Sequence, residues 1–297
     1  MGRRVREMAG EGSMRQAAEQ LSAWLGRKTP EFRGKQRAIR AVQRILGEHE
    51  FVVKTDDGTF QVDTGEHIER WVAYSGAYER HMIDFLASRL RSDSVLWDIG
   101  ANIGAISIPL AWRMPSLRVV CFEPNPEVRK RLERNIALNP SVRDRLTVRD
   151  VALGKTDEIL EFYRPRDTTN RGLGSLTQRH NTQSDSLPLQ CCRIDREVER
   201  LGTPPSLLKI DTEGHELEVL EGAAETLRQH SPLIVFEHSP YQTSVKRTDA
   251  IRELLQGLDY SLDVLSVKGE LTRLTRGSLK KHCDLVAVYR GERDRRA

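Results

Sequence analysis

The chain has 297 residues, 38% hydrophobic and 30% charged, with a net charge of +4. That length holds one large α/β domain with an appendage. No apolar run approaches the ~20 residues of a bilayer span, and Met1-Gly-Arg-Arg-Val-Arg6 has neither a signal-peptide core nor the Ser/Thr of a myristoylation motif, so a cytoplasmic protein is expected.

Residues 1–50 carry eleven Lys/Arg against six Asp/Glu, more than the whole positive excess. They read as solvated basic helix faces, because no aromatics interleave with the charges as a base-stacking platform needs; nucleic acid is not an expected partner. Ala17, Ala18, Leu21, Trp24 and Leu25, and after Pro30 the set Ile39, Val42, Ile45 and Leu46, fall at helical spacing and predict two amphipathic helices. Residues 51–62 predict a hairpin turning at Asp57-Gly58. These elements make residues 1–70 an N-terminal appendage, expected to act as a cap or as a homo-oligomer contact, ahead of a catalytic domain over 71–297. A third helix, about 76–91, presents Met82, Phe85, Leu86 and Leu90 to a sheet.

The most informative stretch is Val95-Leu-Trp-Asp-Ile-Gly-Ala-Asn-Ile-Gly104, an apolar strand ending in an acid, then a glycine turn, then an apolar helix. Glycine there lets a ligand lie against the backbone, and the helix start offers unpaired N–H groups. The next strand, 117–122, ends in Glu123, an acid placed to accept from two vicinal ribose hydroxyls. Further strands near 145–150, 206–210 and 232–237 alternate with helices near 103–112, 126–138, 215–229 and 247–257. Such alternation predicts a parallel sheet with helices on both faces and places Asp98, Glu123, Asp150, Asp211 and Glu237 along one edge. Between them, two strand-like runs, 159–163 and 187–192, enclose a polar loop from about 164 to 186, expected to be a lid over the site. Cys121, Cys191, Cys192 and Cys283 form no disulfide framework and no C-x-x-C zinc pair, and read as small buried hydrophobes.

The glycine pattern is Gly-x-x-x-Gly, with Asn102 where a dinucleotide fingerprint has its second glycine, and no Gly-x-x-x-x-Gly-Lys-Ser/Thr occurs. A phosphate-free nucleoside cofactor, S-adenosyl-L-methionine, fits what remains. Asp98-Ile-Gly-Ala-Asn-Ile-Gly104, Phe122-Glu-Pro-Asn-Pro126, Asn135-Ile-Ala-Leu-Asn139 and Lys209-Ile-Asp-Thr-Glu-Gly-His-Glu216, in this order after Gly76-Ala-Tyr-Glu79, resemble the FkbM family of class I methyltransferases over roughly 74–289. His215 departs from that family's usual small residue. The resemblance implies a Rossmann-like, mostly parallel sheet closed by an antiparallel pair at 260–265 and 284–289. It further implies transfer of a methyl group to a hydroxyl of a sugar or small metabolite.

On this reading Asp98 accepts from the methionine ammonium, directly or through water, and Gly100, Ala101, Asn102 and Gly104 shape the turn around the aminoacyl end. Glu123 takes the ribose, and Asp150 with Val151 takes the adenine. The acceptor site falls to Asp211, Glu213, Glu237 and His238, with Glu216 and His215 on the same turn as Asp211. Glu237 and His238 cannot both aim at one point while they remain in a strand. A Mg²⁺ shared by Asp211, Glu237 and His238 is weighed and not adopted. Two rivals stand. An RNA methyltransferase is opposed by the absence of an Asn/Asp-Pro-Pro-aromatic turn and of a Pro-Cys nucleophile. A non-catalytic cofactor-binding scaffold is opposed by the acids at the fourth and fifth strand ends.

Overall fold

The computed structural model describes residues 50–91, 93–165, 184–240 and 245–291; the two helices expected within 13–46 and most of the expected lid lie outside them. The chain enters through a hairpin, β1 (Glu50–Thr55) and β2 (Gly58–Asp63), whose register pairs Thr55 with Gly58, so the turn falls on Asp56-Asp57, one residue before the expected position. Two helices follow, α1 (His67–Ser75) and α2 (Arg80–Arg89). The sequence reading missed α1, and its single helix over 76–91 begins only at Arg80. Gly76, at φ +79°, ends α1 and donates its N–H to the Val72 carbonyl, the left-handed stop that glycine adopts without a Cβ penalty.

The sheet begins at β3 (Val95–Ile99), buried at every position as a strand covered on both faces must be. Then come α3 (Ser107–Arg113), β4 (Arg118–Phe122), α4 (Pro126–Ala137), the short α5 (Pro140–Arg143), β5 (Leu146–Arg149) and β6 (Ala152–Leu153). The long pair β7 (Glu158–Pro165) and β8 (Ser184–Cys192) leads to α6 (Ile194–Leu201), β9 (Leu207–Ile210), α7 (Glu216–Glu221), α8 (Ala224–His230) and β10 (Leu233–His238). The chain closes with α9 (Val245–Gln256), β11 (Tyr260–Leu265), β12 (Leu271–Arg273) and β13 (Cys283–Tyr289).

The main sheet has the order β12-β11-β13-β10-β9-β3-β4-β5. Its β5, β4, β3, β9 and β10 run parallel, and β13 lies antiparallel between β10 and β11. The expected closing antiparallel pair is therefore present, with β12 added outside it. One face buries Ile83, Leu86, Ile108, Leu110 and Leu132 together with hairpin residues Phe51, Val53, Phe60 and Val62. The other buries Trp97, Phe122, Ile194, Leu220, Leu227, Ile251 and Leu255. Among the described residues no helix is long and apolar enough to cross a membrane.

Two expected helices differ in extent. The helix after the glycine turn starts at Ser107 rather than 103, because Asn102 (φ +50°) and Gly104 (φ +84°) carry the chain through a left-handed turn first. The helix over 215–229 is split into α7 and α8 at Gly222-Ala223. A Cβ on Gly222 would lie 1.9 Å from the Gly154 carbonyl oxygen, so the three-stranded sheet β6-β8-β7 presses on the chain there. Asp195, in the first turn of α6, then accepts from the backbone N–H groups of Glu225 and Thr226, supplying the start of α8 with an acceptor from a distant helix.

The asparagines of the Asn135-Ile-Ala-Leu-Asn139 motif fasten the hairpin to the sheet. Asn135 accepts from Gln61 N–H (2.8 Å) and donates to the Ile103 carbonyl (3.0 Å). Asn139 accepts from Thr59 N–H (2.8 Å) and donates to the Thr59 carbonyl (2.7 Å). These side chains satisfy an outer edge of β2 that would otherwise stay open.

Candidate active site

The C-terminal ends of β3, β4, β9 and β10 converge on a cavity of roughly 210 Å³. Its walls are Ile99, Gly100, Asn102, Phe122, Glu123 and Pro124 from the first two strand ends, and Asp211, Thr212, Glu213 and Glu237 from the other two. Val151, Ala152, Leu153 and Phe162 close it from the three-stranded sheet, and His67, Ile68 and Tyr78 from the helical side.

Gly100 sits at φ +78°, and a Cβ added to it would lie 1.9 Å from the Asp211 carbonyl oxygen. Only glycine lets β3 and β9 end so close together, and its bare backbone faces the cavity. Ala101 is buried and ties the turn to β4 by donating its N–H to the Phe122 carbonyl (3.1 Å). Gly104 serves packing, since a Cβ there would meet Leu132 and Ile108 at 2.9–3.0 Å.

Glu123 is buried at the rim of this turn. Its Oε2 accepts from Asn102 N–H (3.0 Å) and its Oε1 from Asn125 N–H (3.0 Å), which fixes the carboxyl while each oxygen keeps a lone pair toward the cavity. Burial pushes its pKa up to about 7, against the pull of those two hydrogen bonds.

Asp98 is fully buried and does not line the cavity. It accepts from Ser107 Oγ (2.6 Å) and faces the Lys209 ammonium at 3.4 Å. Asp98 thus braces the floor through these two partners and stands behind the Gly100 turn rather than in the cavity wall. Lys209, which the sequence reading did not single out, also reaches Asp211 Oδ2 (3.3 Å) and the Gly100 carbonyl (3.4 Å). Its signal was a lysine inside the apolar strand Leu207–Ile210, where a buried cation needs carboxylate partners.

The loop after β9 is held by Glu216, whose Oε1 accepts from Thr212 N–H, Thr212 Oγ1–H and Gly214 N–H at 3.0–3.1 Å. This places Glu213 at φ +57°, a left-handed conformation uncommon outside glycine, and turns it onto the cavity wall. Glu237, at the end of β10, lines the same wall. Burial, reinforced by Asp211, Glu213, Glu216 and Glu79, pushes its pKa up to about 9, although His282 Nε2 lies 3.3 Å away. Behind it, a water-sized void joins Asp211 and Glu237 to Glu79 and Asp284. Glu79, also left-handed at φ +45°, is raised to about 7 chiefly by burial. His215 instead places Nδ1 3.5 Å from Glu218 and leaves a buried Nε2 against Gly154.

The structure thus brings Gly100, Asn102, Glu123, Val151, Asp211, Glu213 and Glu237 together. His238 is set apart and is corrected to a structural residue. Its ring lies on the opposite face of β10, with Nε2 against the Leu279 carbonyl (3.0 Å) and Nδ1 against Thr248 Oγ1 (3.0 Å). Asp150 is exposed beyond the end of β5, next to Val151 but outside the lining. Among the described residues no group of three or more His, Cys, Asp or Glu is arranged to hold a metal.

A mostly parallel sheet with an antiparallel closing strand and a crevice at the carboxyl ends is the Rossmann-like architecture expected of a class I methyltransferase. The Methyltransferase FkbM domain matches residues 98–262, more than half of the chain, and the chain belongs to that family. It is 31% identical over 182 residues to the hexuronic acid methyltransferase AglP of Haloferax volcanii, covering 61% of this chain and 70% of that protein. It is 26% identical over 150 residues to the 2-O-methyltransferase NoeI of Sinorhizobium fredii, covering 46% and 60%. The crystal structure of an FkbM methyltransferase from Methylobacillus flagellatus superposes with a TM-score of 0.48 at 19% identity, covering 71% of this chain and 48% of that one.

Proposed function

We propose that this chain is an S-adenosyl-L-methionine-dependent O-methyltransferase acting on a hydroxyl of a sugar or small metabolite. The observation that carries this reading is the single cavity with bare Gly100 backbone and the Glu123 carboxyl at one end and Asp211, Glu213 and Glu237 at the other. The residues fit the cofactor: Gly100 is a cradle that a Cβ would fill, and Glu123 is a fixed carboxyl facing a slot walled by Val151, Leu153 and Phe122. Glu123 would hold the ribose hydroxyls, the apolar slot the adenine with Asp150 beside it, and the Gly100–Asn102 turn the aminoacyl end.

When bound, S-adenosyl-L-methionine supplies a methyl group whose C–S bond breaks, leaving the electron pair on sulfur, as the O–C bond forms. The protein's part is to align the acceptor and take up its proton; alignment alone can supply ~7–11 kcal/mol. Glu237 keeps its proton to about pH 9 and is suited to donate a hydrogen bond to the acceptor. Asp211, 3.3 Å from the Lys209 ammonium, and Glu213 are the carboxyl groups left to accept the hydroxyl proton, an assistance worth about 10²–10⁴-fold. Calorimetric titration with the cofactor and its demethylated product, then a mass-shift screen of sugars and metabolites, tests the reading. No binding of either nucleoside would overturn it.

The hairpin and α1 share the sheet's core, so we draw the catalytic unit from Glu50 rather than from residue 71. For residues 1–49 the proposal stays a cap or a homo-oligomer contact. Sedimentation of the chain with and without them separates the two.

A further inference from the structure

We propose that the chain forms a two-fold dimer through the outer edge of β1, with Glu50–Lys54 of one copy paired antiparallel to the same residues of a second copy about a dyad at Val52. The contact lies within the unit drawn from Glu50 and is independent of the methyltransferase reading.

β1 and β2 form a sheet of two strands, so each strand has an outer edge. In an antiparallel pair, residues whose backbone groups bond across the pair alternate with residues whose backbone groups point away. On β2 the outward residues are Thr59, Gln61 and Asp63, whose N–H groups are taken by Asn139, Asn135 and Glu69. Their register partners on β1, which are Lys54, Val52 and Glu50, therefore turn their own N–H and C=O groups outward. No counterpart of the asparagine fastening exists on that side. Among the described residues no hydrogen bond reaches the backbone of Val52 or Lys54 from outside the hairpin. Such a row of open groups is a template for another strand.

The side chains identify that strand as a second copy of this one. Glu50, Val52 and Lys54 share the solvent face of β1, and Val52 is 40% exposed between the two charges. Antiparallel pairing reverses the order, so Glu50 meets Lys54 of the second copy, Val52 meets Val52, and Lys54 meets Glu50. Each of these pairs falls on outward backbone groups and can exchange both of its hydrogen bonds. Opposite charges directly across a strand pair are favourable, and like charges are not. A register moved by two residues sets a charge against Val52 and leaves an outward residue unpaired. Arg131 (2.6 Å) and Gln61 (3.0 Å) already hold the Glu50 carboxylate, which keeps lone pairs for a further donor. A lysine on an open edge discourages unrelated strands, whereas here it finds its own acid across the dyad. The surface is thus self-complementary, as an isologous two-fold contact requires.

Sedimentation velocity of the full chain, in a concentration series reaching about 100 μM, should show a concentration-dependent dimer. A monomer throughout overturns the proposal. Val52→Pro removes the N–H that crosses the dyad and spares the hairpin ladder, whose bonds come from Phe51, Val53 and Thr55. It should weaken the dimer at least ~tenfold, with circular dichroism and a melt confirming the fold. Lys54→Glu, on an exposed side chain, sets acid against acid at both ends and should weaken the dimer at least ~threefold, so the test stands even if the proline variant does not fold. An unchanged dissociation constant in Lys54→Glu, or in a folded Val52→Pro, overturns the contact. Cross-linking reads the register. Val52→Cys would place its two Cα atoms about 5.5 Å apart, within the ~4.4–6.8 Å of a disulfide, whereas Lys54→Cys would place them about 14 Å apart. Mild oxidation should therefore give a covalent dimer of the first variant and leave the second at the level of the wild type, which carries its own four cysteines. Equal cross-linking of both, or of neither, overturns the register and the proposal with it.

Discussion

The carbonyl oxygen of Asp211 stands where the Cβ of any residue but glycine would sit at position 100, 1.9 Å from that point. The glycine turn after β3 and the loop after β9 are thereby locked to one another through backbone, with no side chain between them. Gly100→Ala should cost more than the ~1–3 kcal/mol of a strained left-handed residue, because the two strand ends must also part. Gly202→Ala has a comparable φ of +60° and open space, and should lose only ~1–2 kcal/mol. Urea denaturation of both variants, with cofactor titration of the first, checks this; equal losses would contradict the backbone lock.

Lys209→Met should be among the most destabilising substitutions, by about 3–5 kcal/mol, because it leaves the Asp98 carboxylate buried without its cation. Equilibrium unfolding of the variant reads the loss directly. A loss under ~1 kcal/mol would mean the floor is not organised around this pair.

Glu123→Ala should weaken cofactor binding at least about tenfold, since a charged hydrogen-bond partner is worth roughly 1.5–3 kcal/mol. Ribose hydroxyls prefer the ionised carboxyl, and Glu123 releases its proton only near pH 7. Calorimetry should therefore show affinity rising between pH 6 and 8 in the wild type. In Glu123→Ala that rise should vanish.

Glu237 makes stability depend on pH with a definite sign. Between the ordinary carboxyl value of 4.5 and about 9, the folded chain holds on this group a proton that the unfolded chain has released, so its contribution to stability falls as pH rises through that window. Asp211, Glu213, Glu216 and Glu79 face it with like charge, and His282 faces it from the solvent side. Glu237→Gln should match the wild type near pH 4.5 and exceed it by at least about 1 kcal/mol at pH 8. Thermal melts across this range would refute the assignment if the two curves ran parallel.

Glu216 is a positioning residue, and Glu216→Ala should release the Thr212–Gly214 loop. The expected result is a fall of kcat by about 10²-fold with the cofactor dissociation constant changed less than about threefold. Glu216→Gln, which keeps an acceptor oxygen, should recover part of that loss.

Much of the sheet was legible because its signals are local. The apolar runs of β3, β4, β9 and β10 each end at an acid or a glycine turn, and right-handed crossovers then put Glu123, Asp211 and Glu237 on one edge. What escaped were relations between distant segments. Asp98 and Lys209 read as an acid at a strand end and a stray cation, and only the pairing of β3 with β9 sets Asp98 beside Lys209. The Asn135 and Asn139 motif was visible without its purpose, which lies in Gln61 and Thr59, more than seventy residues upstream. His238 was open to either role until the pleat of β10 turned it from Glu237. The break between α7 and α8 came from Gly154, a contact no periodicity within 215–229 records.

The asparagine fastening has a mechanical corollary. Asn135 holds the Gln61 backbone with one end of its amide and the Ile103 carbonyl with the other, so the hairpin and the glycine turn after β3 share one rigid coupling. Whatever tugs or steadies the hairpin therefore acts on the turn at Gly100–Gly104, through this amide as well as through the shared core.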